Sequence, residues 1–397
     1  MENRKIVFLC SAYPKEFDDF YRNLSGVDST ISGNIHSSSI IDGLKENGVE
    51  HFIISGVAVG HYPLNTKTKK LPEIKFSDNF YAVAYNNHVL VNQASKAKSM
   101  YRCYKKNCHF NDEPVDILLA DIHEPFLKTA LKIKRKNKNS RIVNICLDVP
   151  DTIISSKEGF LRRFLKKISV KRNMKLLEKV DGFVLLSDAM RKRLPVDDKP
   201  YLISPFIADV HLYEGFVKNK NNKFLISYCG VLSTQYNIDL LLDAFSLIKN
   251  ENVELLLAGK GDGVSLIKSA SANDCRIKYL GELTRNEAIQ LQLDSDVLVN
   301  PRLPENNYTS YSFPSKTISY LLSGNPLVCY TFSSFPDDIK KMVFEPKETN
   351  ASSLAETIMY ASNKKSIVDL NKINSYSALK FIEQLENLFS NIRNKYE

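Results

Sequence analysis

The sequence contains no stretch approaching the roughly 18 uninterrupted apolar residues that a membrane-crossing helix needs, so nothing in it is expected to span a bilayer. No apolar leader is expected either, since "MENRKIVFLC" runs straight into an apolar strand pattern. Its seven cysteines are an odd number, and Cys103 and Cys108 have no second Cys/His pair at metal-ligand spacing. Cys10, Cys146, Cys229 and Cys329 fall inside apolar strand patterns, where buried thiols belong. A disulfide framework is therefore not expected, all seven cysteines read as reduced, and the expected compartment is cytoplasmic. The basic run lacks interleaved exposed aromatics and matches no recognition motif, which sets nucleic acid aside as a partner.

What the chain does have is length and an uneven charge. Its 397 residues, 43% apolar and 25% charged, exceed one typical core and suggest two domains. Net charge is +9, but through Pro205 there are 34 Lys and Arg against 23 Asp and Glu, and beyond it 20 against 22. The first half is expected to meet something anionic.

Short apolar runs alternate with helical periodicity throughout. Strands are expected near 5–10, 50–55, 115–121, 141–148, 182–187 and 201–204, with helices near 35–47, 94–107 and 126–136 between them. After a polar stretch the plan repeats, with strands at 224–229, 253–258, 277–280, 296–300 and 327–330. Runs apolar on both faces and separated by helices indicate parallel sheets, hence an α/β chain of two doubly wound, Rossmann-like units. The expected division is residues 1–205, a linker at 206–222, a second domain at 223–374 and a final helical stretch at 375–397.

Three places carry chemistry. The stretch "NPRLPENNYTSYSFPSKTISYLLSGNP" (300–326) runs from a strand through a polar loop into a helix beginning at Ser315, and a helix start at a strand's carboxyl end offers free N–H groups to an anion. Arg302 and Lys316 flank that start, and Lys316 stands against the helix dipole unless solvent or an anion accompanies it. Gly230 in "SYCGVLSTQYN" and Gly259-Lys260 in "AGKGDG" follow strands in the same way, although either glycine could be no more than a tight turn. Lastly, "KEGFLRRFLKKISVKRNMKLLEK" (157–179) places Phe160, Leu161, Phe164, Leu165 and Ile168 on one face and Arg162, Arg163, Lys166 and Lys167 on the other. That pattern fits docking on an anionic membrane surface or an ordinary domain helix with solvated charges.

Together "NPR", "YTSYSFPSK" and "SYLLSGNPLV" resemble the nucleotide-sugar loop of the family 4 glycosyltransferases; the likeness is specific over Ser227 to Tyr330 and faint before it. The resemblance implies a GT-B fold, two Rossmann-like domains facing across a cleft, the first on the acceptor side and the last helix crossing back toward it. It implies retaining transfer of a sugar from a nucleotide diphosphate donor, with uridine as the base, to a hydroxyl of a lipid-linked or surface polysaccharide acceptor. No metal or further cofactor is implied. It assigns Arg302 and Lys316 to the leaving diphosphate and His123 of "DIHEP" to the reaction centre. Gly33, Gly230, Gly259, Lys260, Leu283, Tyr311, Ser312, Phe313, Ser315 and Ser319 would contact the donor. Tyr236 stands where the family usually has a lysine, and Tyr311 and Ser319 where it often has two glutamates, with Glu305 a candidate substitute. Two other readings remain: a non-catalytic GT-B protein that supports an active partner, and an epimerase acting on a free nucleotide sugar.

Overall fold

The computed structural model describes residues 5–25, 31–150, 160–304, 310–311, 313–364 and 366–396. Its contacts divide into two units, the first comprising 1–207 and 378–397, the second 208–377.

The first unit is built on strands β1 (Lys5–Cys10), β2 (Glu50–Ser55), β3 (Lys70–Leu71), β4 (Ile74–Ser77), β5 (Phe80–Ala82), β6 (Tyr85–Asn86), β7 (Asp116–Leu119), β8 (Arg141–Cys146), β9 (Gly182–Leu185) and β10 (Tyr201–Ile203). Its helices are α1 (Asp18–Ser25), α2 (Ile31–Glu46), α3 (Asn92–Asn107), α4 (Glu124–Lys136) and α5 (Phe160–Leu177). Eight strands form one sheet in the order β10-β9-β8-β7-β1-β2-β5-β4, parallel except for β4. Ile6, Phe8, Leu118 and Val143 are fully buried, as central parallel strands covered on both faces require. The order reverses between β1 and β7, and such a switch leaves a crevice at the strands' carboxyl ends.

The second unit holds β11 (Phe224–Cys229), β12 (Val253–Ala258), β13 (Ile277–Gly281), β14 (Val297–Asn300) and β15 (Leu327–Cys329) in one parallel sheet, order β13-β12-β11-β14-β15. Its helices are α6 (Ile238–Leu247), α7 (Val264–Asn273), α8 (Arg285–Asp294), α9 (Ser315–Leu322), α10 (Asp337–Lys340), α11 (Ala351–Ser362) and α12 (Leu370–Asn374). Here the switch lies between β11 and β14.

The last helix, α13 (Ala378–Tyr396), belongs to the first unit. Its Phe381, Ile382, Leu385, Leu388, Phe389 and Ile392 pack against β1, β7, β8 and α2. Gly43 lets α2 come this close, because a Cβ there would lie 2.7 Å from the Ala378 carbonyl oxygen.

Three boundaries differ from the sequence expectation. Helix α2 starts at Ile31 rather than Ile35, which puts Gly33 in a first helical turn and not in an open loop; the Asn34 amide oxygen accepts the Tyr13 N–H (3.0 Å). The ribbon of β3 and β6 and the edge strand β4 were not anticipated, because strands of two to four residues carry too little alternation to be seen. Residues 208–222 are not a free linker. Lys218 Nζ donates to the Ser295 carbonyl and to Asn325, and Asn219 donates to Asp294, so polar side chains seat the segment on the second unit.

Phe389 is fully buried, and Phe389→Ala is expected to destabilise the first unit by about 3–5 kcal/mol through lost transfer energy and the cavity left behind. Denaturant unfolding followed by a probe in that unit measures the loss.

Candidate functional site

In the second unit the carboxyl ends of β11 and β14 carry the candidate residues. Gly230 follows β11 directly, and a Cβ on it would fall 1.7 Å from Lys316 Cε, so the lysine stem lies flat across a residue that must have no side chain. This delivers Lys316 Nζ to the switch point, 5.6 Å from the Tyr228 ring centre. Lys316 forms no ion pair among the described residues. Burial draws its pKa below the ordinary lysine value; the Cys229 thiol pulls it upward and the nearby Arg302 pushes it down.

Helix α9, which carries Lys316, begins after Pro314 with no side chain capping its first amides. It is fixed from below, where the Tyr320 hydroxyl donates to the Cys229 carbonyl (3.1 Å) and accepts from the Cys229 N–H (2.8 Å). Ser315 is exposed at its start. The Ser319 hydroxyl donates to the Lys316 carbonyl (2.9 Å).

Arg302, two residues beyond β14, lies between rings, its guanidinium carbon 5.2 Å from the centre of Tyr236 and 5.4 Å from that of Phe332. Phe332 packs on Phe335, and Phe335 on Phe313. Tyr236, the departure noted in the sequence, is thus a platform for a cation. The Leu303 N–H donates to the Asn237 side chain, tying the loop after β14 to the one after β11.

The neighbouring loop is held as closely. A Cβ on Gly259 would fall 1.8 Å from the Gly230 carbonyl oxygen, and one on Gly261 2.0 Å from that of Leu232. Gly230 N–H donates to Ala258 and Leu232 N–H to Lys260, so the two turns run backbone against backbone. Lys260 is exposed and pairs with Glu282 at 3.1 Å, while Leu283 is half-buried. Tyr311 is half-buried; Ser312 and Glu305 lie outside the described residues.

In the first unit His123 stands at the start of α4, just past β7 and beside the β1/β7 switch, stacked on Phe126. Its Nδ1 is buried without a hydrogen-bond partner, and burial, then Lys96 and His61, push its pKa down to about 3. The imidazole is neutral at physiological pH. Lys96 is itself buried, donating to the carbonyls of Gly56 (3.1 Å) and Val57 (3.4 Å) over the Tyr85 ring, and burial lowers its pKa to about 7.

The sequence reading missed Asp121 and Asp148, at the ends of the adjacent strands β7 and β8. They line a cavity of about 120 Å³ with Lys166, Ser169 and Asn173 of α5. Burial pushes Asp121 up to about 6, and Asp148, also raised by burial, adds to it. An aspartate closing each of two neighbouring parallel strands was the visible signal. On α5, Lys166 lines this cavity, whereas Arg163 and Lys167 are exposed with Phe164 and Ile168; the Arg162 side chain lies outside the described residues.

Residues 223–363 match the family model described as glycosyl transferases group 1. Among solved structures the chain is similar to a glycosyltransferase from Rickettsia africae, at 14% identity and a TM-score of 0.62 over 98% of both chains. It is also similar to Alr3699/HepE of Anabaena, solved with UDP and glucose, at 14% identity and a TM-score of 0.60 over 98% of this chain and 100% of that one. A third, sucrose-phosphate synthase from Thermosynechococcus elongatus, matches at 13% identity and a TM-score of 0.59 over 98% and 99%. The fold is GT-B. No curated protein sequence matches the chain. At these identities the likeness to the solved structures establishes the GT-B architecture, and the family match falls within the unit that holds Gly230, Arg302 and Lys316.

Asp121 has a raised pKa in the folded state, so it holds its proton there at pH values where the unfolded chain has released it. Its contribution favours the fold at low pH and is lost as pH rises from about 4 through about 6. Asp121→Asn keeps an oxygen for the Ile122 N–H (2.7 Å in the aspartate) and removes the charge. It is expected to stabilise the first unit at pH 8 by on the order of 1–3 kcal/mol, with little effect at pH 4. Thermal unfolding at the two pH values checks this.

Proposed function

We propose that the protein is a retaining glycosyltransferase that moves a hexose from a UDP-sugar to a hydroxyl of a lipid-linked or surface polysaccharide, without a metal. The observation that carries this reading is Lys316, a half-buried ammonium with no ion pair among the described residues, laid over Gly230 at the uncapped start of α9. Such a cation is costly to bury unless an anion completes it, and a diphosphate at a helix start does so. The match of residues 223–363 to group 1 glycosyl transferases and the UDP bound by the Anabaena neighbour support the choice of anion.

In this reading Lys316 and Arg302 stabilise the charge that grows on the leaving diphosphate. With that charge held by protein cations, the acceptor hydroxyl's proton passes to the departing phosphate oxygen on the same face as the new bond, which preserves the anomeric configuration. Gly230, Gly259, Lys260, Leu283, Tyr311, Ser312, Phe313, Ser315 and Ser319 contact the donor. Gly33 faces the donor phosphates from the first turn of α2. His123, neutral, serves as a hydrogen-bonding group at the donor sugar.

Lys316→Gln and Arg302→Gln are each expected to lower turnover about a hundredfold in a folded protein. Wild-type affinity for UDP falls as pH rises through the depressed pKa of Lys316, earlier than an ordinary lysine would allow, and Lys316→Gln abolishes that alkaline limb. Calorimetry across pH, together with hydrolysis of a UDP-sugar panel, reads both effects. UDP binding without hydrolysis or transfer of any donor would favour the second reading, a non-catalytic GT-B partner. The losses at Tyr236, Tyr311 and Ser319 motivate it, Ser319 having its hydroxyl turned to its own helix.

The protein works peripherally at the cytoplasmic face of a membrane. Among the described residues no helix is long and apolar enough to cross one. On α5, however, Phe164 and Ile168 are 52% and 43% exposed, one turn apart, beside the exposed Arg163 and Lys167. Replacing Phe164 and Ile168 by Ser, with Arg163 and Lys167 by Gln, is expected to release the protein from anionic vesicles in a flotation assay. High salt weakens wild-type binding in the same assay.

A further inference from the structure

Away from the strand ends, the outer face of the first unit carries a groove of about 410 Å³ between α3 and α4, lined by Lys98, Tyr101, Arg102, Lys105, Lys106 and Lys132. None of these five cations has a carboxylate within ion-pairing distance among the described residues. Helix α3 has no acidic residue in its 16 positions, and Glu124 of α4 is buried and engaged by Lys128 and Arg172. Arg102 lies four residues from both Lys98 and Lys106 and three from Lys105, spacings at which like charges oppose the helix they sit on. The arrangement therefore works against folding, and a bound polyanion relieves it.

The groove is also fixed. Thr129 Oγ1 of α4 donates to the Ala97 carbonyl of α3 (3.3 Å), and Lys132 Nζ lies 4.1 Å from the centre of the Tyr101 ring. Tyr101 is the one aromatic side chain in the lining, and Lys132 already covers a face of it, so successive nucleic-acid bases have no row of rings to stack on. No exposed aliphatic side chain lines the groove to enter a bilayer, in contrast to Phe164 and Ile168 on α5. What remains is a hydrophilic chain bearing regular negative charge.

We propose that this groove is an exosite for an anionic glycan, a chain carrying a carboxylate or a phosphodiester at successive repeats, which holds the growing acceptor polymer while its end is extended. The guanidinium of Arg102 takes a carboxylate or phosphate in bidentate fashion, and the flanking lysines follow the charges along the chain. The inference rests on the glycosyltransferase reading for its acceptor, but the binding it asserts can be measured without any reaction.

The test uses the full chain, with a polyuronate oligosaccharide as the carboxylate probe and a phosphodiester-linked oligosaccharide as the phosphate probe. Neutral dextran, a single-stranded DNA 20-mer and phosphatidylglycerol vesicles are the controls. At least one anionic glycan is expected to bind, more weakly as salt rises, with dextran silent, and the two probes tell carboxylate from phosphate recognition. Arg102→Gln with Lys105→Gln is expected to weaken that binding tenfold or more, and Arg102→Glu with Lys105→Glu further, while hydrolysis of the UDP-sugar is unchanged. Equal affinity of wild type and variants for the glycan, dextran binding as well as the anionic chains, or tighter binding of DNA or vesicles in a groove-dependent manner would each overturn the proposal. Failure of UDP-sugar binding with the glycan result intact would overturn the catalytic reading and leave the groove's ligand standing.

Discussion

A positive charge held at the end of a parallel sheet, that of Lys316, with no carboxylate beside it among the described residues, is the constraint on which the second unit depends. Lys316 reaches that place across Gly230, and Arg302 is held there between Tyr236 and Phe332. Arg302 lies against two rings, and Lys316 is held by the Gly230 backbone and the Tyr228 ring with no acid beside it among the described residues. An ion pair would have neutralised the cation and removed its attraction for an external anion. A quadrupolar ring face positions the charge and leaves it available.

The glycines follow from the same requirement. For Lys316 to lie on β11's turn, Gly230 must be bare, and for that turn to pack on the next one, Gly259 must be bare as well. Two successive βα turns thus meet backbone to backbone, with the Gly230, Leu232 and Gly259 N–H groups donating to the carbonyls of Ala258, Lys260 and Gly281. Lys316 and the uncapped start of α9 are left to meet a ligand. Tyr320 completes the assembly by pinning α9 to the last residue of β11, so that helix and turn keep one geometry.

The first unit solves a different problem. Its surplus of positive charge is divided among three environments: the interior, where Lys96 sits beside His123; the exposed edge of α5; and the groove between α3 and α4. In the interior, where water is excluded, burial lowers the pKa of Lys96. The two carboxylates that line the cavity beside α5, Asp121 and Asp148, are raised by the same exclusion.

The sequence by itself determined the strands of both sheets apart from β4 and β5, the two-unit plan, the start of α9 at Ser315 and the nomination of Arg302 and Lys316. Each depends on a local signal: a short apolar run, a helical period, or a cation at a strand-to-helix junction. It could also show that Tyr236 departs from a pattern, but not why, because the partner of that ring, Arg302, is 66 residues away. Tertiary structure alone decided that Gly33 lies within a helix, that residues 208–222 belong to the second unit, and that Lys166 lines a cavity with Asp121 and Asp148. It alone shaped the groove of α3 and α4, whose lysines read along the chain as two ordinary solvated helices. The reason is common to all of these: they depend on which residues distant in sequence become neighbours, and on how much water is left between them, and neither quantity is written in the local pattern of the chain.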